Sequence, residues 1–143
     1  MTPDVNILVA ASREDHPHHA AAATWLKAAV EAQALALLPM VATSFVRIVT
    51  NARIFPTPTS PKTALHFINT LLEATDLPLL PLSSEWERFC ELVDSPALSG
   101  NAIPDAWIAA AVAQHGEHLV TFDRGFQKLL TRSQVTVLKG NAR

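Results

Sequence analysis

Three aspartates, Asp4, Asp105 and Asp123, offer this sequence its clearest chemistry, each at the boundary of an apolar segment. Asp4 precedes Val5-Asn6-Ile7-Leu8-Val9-Ala10-Ala11, Asp105 follows Pro104 and opens an apolar stretch to His115, and Asp123 follows His118-Leu119-Val120-Thr121-Phe122. Carboxylates gathered at one place repel one another unless a divalent cation compensates them, and an all-oxygen donor set suits Mg²⁺ or Mn²⁺. Taken singly, each has a plainer reading. Asp4 can cap a first helix, Asp105 can be a helix-start acid, and Asp123 can be a surface turn residue. Their shared position at element boundaries makes a common site as good a reading as three separate ones.

The polar neighbours fit either reading. Asn6 and Thr121 can orient an aspartate or a water, while Arg47 and Arg53, flanking Asn51, and Arg124 are candidates for phosphate contacts. The alternative for these arginines is a solvated helix face. His16, His18 and His19 have no Cys or acidic partners at zinc spacing and read as a loop before a helix. No phosphate-cradling glycine loop and no GxSxG elbow occurs. Cys90 is the single cysteine, so an internal disulfide is excluded. Trp25, Trp86 and Trp107 do not make a stacking platform, and packing is the better reading for Trp107.

Those residues must be positioned by alternating short strands and helices. The chain just before Asp4 is expected to form a first strand, and helix formers run from Ala20 to Ala34 after Pro17. Leu35-Ala36-Leu37-Leu38 reads as a short buried strand ending at Pro39, and helical spacing returns from Val41 to Asn51. Pro61 starts a helix reaching Ala74, and Leu77 to Leu82 reads as a strand interrupted by Pro78 and Pro81. Ser83 or Ser84 caps the next helix, which has Glu85 and Glu87 in its first turn. A turn at Ser99-Gly100-Asn101 leads to the helix from Asp105 to His115, which Gly116 stops, and strands follow at His118–Phe122 and Val135–Leu138. The pattern predicts a three-layer α/β/α domain with a mostly parallel central sheet of four or five strands. In such a sheet the functional crevice lies beyond the carboxyl ends of the strands.

With 143 residues, 49% of them hydrophobic and 17% charged, the chain has the size and composition of one globular domain, 1–143. Its formal net charge of −2 lends no support to a nucleic-acid partner, yet a local basic patch or a bound metal can still hold phosphate. No signal-peptide pattern or membrane-length apolar run occurs, so a soluble cytoplasmic protein without a membrane partner is expected.

The motifs resemble those of a known family. Asp4-Val5-Asn6-Ile7-Leu8-Val9-Ala10-Ala11 resembles the opening motif of PIN-domain ribonucleases, in particular the VapC toxins of type II VapBC toxin–antitoxin systems. Gly100-Asn101-Ala102-Ile103-Pro104-Asp105-Ala106-Trp107 resembles their third acidic motif, Thr121-Phe122-Asp123-Arg124-Gly125-Phe126 is similar to the fourth, and Ser44-Phe45-Val46-Arg47 matches a middle motif of one branch. The likeness spans essentially the whole chain. It implies a PIN-like fold and a Mg²⁺-dependent endoribonuclease, a hydrolase of RNA phosphodiester bonds. Asp4, Asp105 and Asp123 would be the metal-binding and catalytic acids, with Asn6, Ser44 and Thr121 in support. The arginines at 47, 53 and 124 would then face RNA phosphates. It also implies a homodimer inhibited by a cognate VapB-type antitoxin. Many relatives have Glu where this chain has Ser44, which keeps open a weak or inactive domain acting through partner binding. So little chain precedes Asp4 that a longer natural N-terminus is also left open.

Overall fold

In the computed structural model, which describes residues 1–75, 79–94 and 98–140, the first two residues after Met1 already form a strand. This strand, β1, is Thr2–Pro3, and the helices that follow are α1 (Val5–Ser12), α2 (His19–Glu31), α3 (Pro39–Val49), α4 (Pro61–Thr75), α5 (Glu85–Asp94) and α6 (Ala102–Gln114). Strand β2 (Leu119–Thr121), a 3₁₀ turn at Arg124–Lys128 and strand β3 (Val135–Val137) complete the chain. The sheet has the order β1-β2-β3, and both pairings are parallel, with Pro3 opposite Val120 and Val120 opposite Thr136.

The expected sheet of four or five strands is corrected to three among the described residues. Leu35–Leu38 is buried but forms no ladder. It makes isolated bonds instead: the Met1 amino group donates to the Ala34 carbonyl at 2.7 Å, the Ala36 N–H to Met1 O at 2.9 Å, and the Leu80 N–H to Leu37 O at 2.8 Å. The reason is a shortage of donors. Pro3 has no N–H to extend β1 toward this segment, and Pro39 ends it by opening α3. Of the other expected strand, Leu79–Leu82 carries no ladder, and Pro81 lacks an N–H; Leu77 and Pro78 lie outside the described residues.

Alternation along β2 divides its neighbours. Leu119 packs in the main core with Phe45, Val112, Phe126 and Val135, whereas Val120 joins Ile7, Ala10 and Ala22 in a smaller cluster. Helix α6 is buried almost all round through Ala106 and Ile108–Val112, as its lack of amphipathic patterning demands. It is stopped at Gly116, whose φ of 61° suits glycine. Its start lies three residues before Asp105, because Pro104 is tolerated within a first helical turn.

Candidate active site

The parallel pairing of β1 with β2 puts their carboxyl ends at the same edge. Asp4 follows β1 directly, its N–H donating to Val120 O at 2.8 Å, while Asp123 lies two residues beyond β2. Asp4 is also the N-cap of α1. Its Oδ1 accepts the Val5 N–H at 2.7 Å, so it fills the cap role and the strand-end role together. Asp123 caps the 3₁₀ turn, its Oδ1 accepting the Gly125 N–H at 2.7 Å. A Cβ at Gly125 would stand 3.0 Å from that oxygen, which is why the tight return suits glycine. Asp105 enters from the first turn of α6, where the partial positive charge of the helix end favours an anion.

All three acids line one cleft of about 430 Å³, together with Ser44, Arg47 and His16. They affect one another's ionisation. Burial raises the Asp4 carboxyl above its ordinary 3.8, although the Thr121 hydroxyl and the Val5 N–H pull it back, and the negative charge of Asp123 adds to the rise. Burial, then the charges of Asp4 and Asp123, push Asp105 up to about 6. Such repulsion is what an uncompensated anionic cluster produces.

Asn6 and Thr121 tie the cluster together. The Thr121 hydroxyl donates to Asp4 Oδ2 at 2.7 Å and accepts the Asp123 N–H at 2.9 Å. Asn6 donates through Nδ2 to Thr121 Oγ1 at 3.3 Å and accepts the Phe122 N–H through Oδ1 at 3.2 Å. Among the arginines, Arg47 lines the cleft. Arg53 is exposed and is not among the lining residues, and Arg124 lies instead beside His18 and Lys139 at a separate depression.

Sequence spacing assigns no site role to His16, Ile54 or Phe55, which also line the cleft. His16, expected in the loop before α2, lines it together with the acids. Its Nδ1 accepts the His18 N–H at 3.1 Å, and burial, followed by the charge of His18, holds its pKa below the ordinary value. No spacing rule connects Ile54 and Phe55 to Asp4, because the loop that carries them folds back from beyond α3.

Among the described residues, no group of three or more His, Cys, Asp and Glu side chains forms a ready-made metal cage. A closed cage is not what Mg²⁺ requires. It dehydrates reluctantly, keeps several waters, and is commonly held by one or two carboxylates plus substrate phosphate. Hard oxygen donors whose charges strain against one another fit that ion.

The PIN domain model matches residues 1–129. Ribonuclease VapC43 of Mycobacterium tuberculosis is 36% identical over 127 residues, covering 87% of this chain and 86% of the relative. Ribonuclease VapC25 of the same species is 34% identical over 127 residues, covering 87% and 89%. Ribonuclease VapC39 is 28% identical over 143 residues, covering 94% and 96%. The chain belongs to the PIN-domain family and is homologous to VapC-type ribonuclease toxins.

Proposed function

We propose that this protein is a Mg²⁺-dependent endoribonuclease that hydrolyses RNA phosphodiester bonds as the toxin of a toxin–antitoxin pair. The observation that carries the reading is the convergence of Asp4, Asp105 and Asp123 on one cleft in a relative of ribonucleases. Asp4, Asp105 and Asp123 would hold the cation, and Mn²⁺ is a suitable substitute. When bound, Mg²⁺ supplies a Lewis acid that polarises phosphate oxygen and acidifies water.

The chain's own groups do the positioning. Asp4 is fixed by two hydrogen bonds, one to each carboxylate oxygen, and each oxygen keeps a lone pair for another partner. Thr121 couples that placement to the backbone of Asp123. Arg47, on the same cleft, is placed to meet a substrate phosphate. By family likeness, the protein acts as a homodimer and is silenced by a VapB-type antitoxin. No helix among the described residues is long and apolar enough to cross a membrane.

One observation favours a second reading, a weak or inactive domain that works by binding its partner. Ser44 lines the cleft without a carboxylate, so the site has three acids there rather than four. Incubation of antitoxin-free protein with an RNA panel separates the two. Cleavage with Mg²⁺ or Mn²⁺, stopped by EDTA and reduced about 100- to 1,000-fold in folded D4N or D105N, is expected. Parent and variants equally silent would establish the second reading.

A further inference from the structure

The cleft that holds the acids also has apolar lining, Ile54 and Phe55 among it. Ile54 is 48% exposed and Phe55 is half-buried, and both face the space lined by Asp4, Asp105 and Asp123. Asn51 builds this short turn, its carbonyl accepting the N–H groups of Ile54 and Phe55 at 3.0 Å each and its side chain accepting the Arg53 N–H at 2.9 Å. The turn is then fastened to α1 by Arg13. That arginine is the C-cap of α1 and only 8% exposed. Its guanidinium lies 3.9 Å over the Phe55 ring, donates to Thr57 O at 2.9 Å and Thr59 Oγ1 at 3.2 Å, and forks onto Asp15 at 3.1 and 2.9 Å. One eight-residue helix therefore carries Asp4 at its start and the clamp on the apolar wall at its end.

We propose that Ile54 and Phe55 form a nucleobase subsite that takes an unpaired base of a single-stranded RNA beside the acids, with Arg13 as the residue that positions it. This rests on the ribonuclease reading above. A base has a flat apolar face that stacks on an aromatic ring whatever its sequence, while the adjoining Arg47 supplies a cation for the backbone. A duplex keeps its base faces stacked inside the helix, where an aromatic side chain cannot reach them. The subsite therefore selects unpaired strands. Arg13 covers one side of the Phe55 ring at 3.9 Å and ties the following loop down through Thr57 O and Thr59 Oγ1, while Asp15 holds its guanidinium, so the stacking surface is ordered before RNA arrives.

The test uses D105N protein, which binds without cutting, and fluorescence anisotropy with a labelled RNA oligonucleotide supplied as a single strand, as a duplex, and as a single strand with abasic nucleotides. F55A in this background should weaken single-strand binding about tenfold, and F55W should restore it. On the abasic strand F55A and its parent should bind alike, because the group that stacks is gone. R13A and R13K should both approach the F55A value, since lysine keeps the charge but cannot make the planar fork. If R13A fails circular dichroism, the F55A and F55W pair decides the matter. Equal binding by F55A and its parent, equal loss on base-bearing and abasic strands, or preference for the duplex overturns the proposal. Unsubstituted protein that cleaves RNA while F55A binds normally defeats the subsite and leaves the ribonuclease reading intact. Base-dependent binding by a protein that never cleaves does the reverse, and absence of both binding and cleavage defeats both.

Discussion

The Thr121 hydroxyl bonds to Asp4 Oδ2 at 2.7 Å across a sequence separation of 117 residues, and the same oxygen accepts the Asp123 N–H at 2.9 Å. One buried hydroxyl thus fixes the side chain of one acid and the backbone of another. Thr121→Val preserves shape while removing these two bonds and the one that the hydroxyl oxygen accepts from Asn6 Nδ2. It should cost about 1–3 kcal/mol in urea unfolding, because a buried N–H and a carboxylate oxygen lose their partner. The hydroxyl stabilises the charged form of Asp4, so its loss should raise that pKa further and move the acidic limb of the activity profile to higher pH.

Asp105 should make the metal-free protein less stable as pH rises. The folded protein keeps its proton up to about 6, whereas an ordinary carboxyl releases it near 3.8. Between those values the folded state binds more protons, so stability falls as pH increases through that window. At 1.36 kcal/mol per pKa unit the upper bound is roughly 3 kcal/mol, and partial exposure reduces it to about 1–2 kcal/mol. Thermal melts in EDTA should show D105N matching the parent near pH 4 and exceeding it above pH 6.5. A parent melting curve independent of pH across that range would contradict the assignment.

Ser44→Glu adds a fourth carboxylate to the cleft lining. Calorimetric titration should show tighter Mg²⁺ binding, by about tenfold, because ligand charge sets the affinity of oxygen sites. The same variant should be less stable than the parent in EDTA, since the added charge meets three others. Unchanged affinity would show that position 44 does not face the cation.

Away from the cleft, Glu85 is 1% exposed and accepts the Ser83 N–H at 2.6 Å, with its other oxygen 3.3 Å from His115 Nε2. This pair joins α5 to the end of α6. Glu85→Ala should cost about 1–3 kcal/mol, because the Ser83 N–H loses its acceptor. Activity per folded molecule at 20 °C should stay at the parental level, because Glu85 does not line the cleft.

Local chemistry made much of the chain legible in its sequence. Pro61 and Gly116 mark helix ends through fixed φ and a permitted positive φ, and α4 and α6 run close to where these signals put them; α5 begins directly after Ser83 and Ser84, although the Ser84 hydroxyl accepts from Gln114 Nε2. The apolar runs before Asp123 and around Val135 pair as β2 and β3. The ordered acidic motifs likewise pointed to the PIN family that the comparisons show.

What the sequence could not determine is how segments partner. Leu35–Leu38 is as apolar and buried as a strand, but a ladder needs donors on the neighbouring segment, and Pro3 removes one. Strand number was therefore settled by tertiary pairing and not by the segment's own pattern. The cleft wall shows the same limit. Nothing adjacent to Phe55 relates it to Asp4, and only the folded chain brings Arg13 from the end of α1 to 3.9 Å over its ring. Periodicity records which face of an element is apolar, whereas contacts between distant segments depend on the three-dimensional path that burial and backbone hydrogen bonding jointly select.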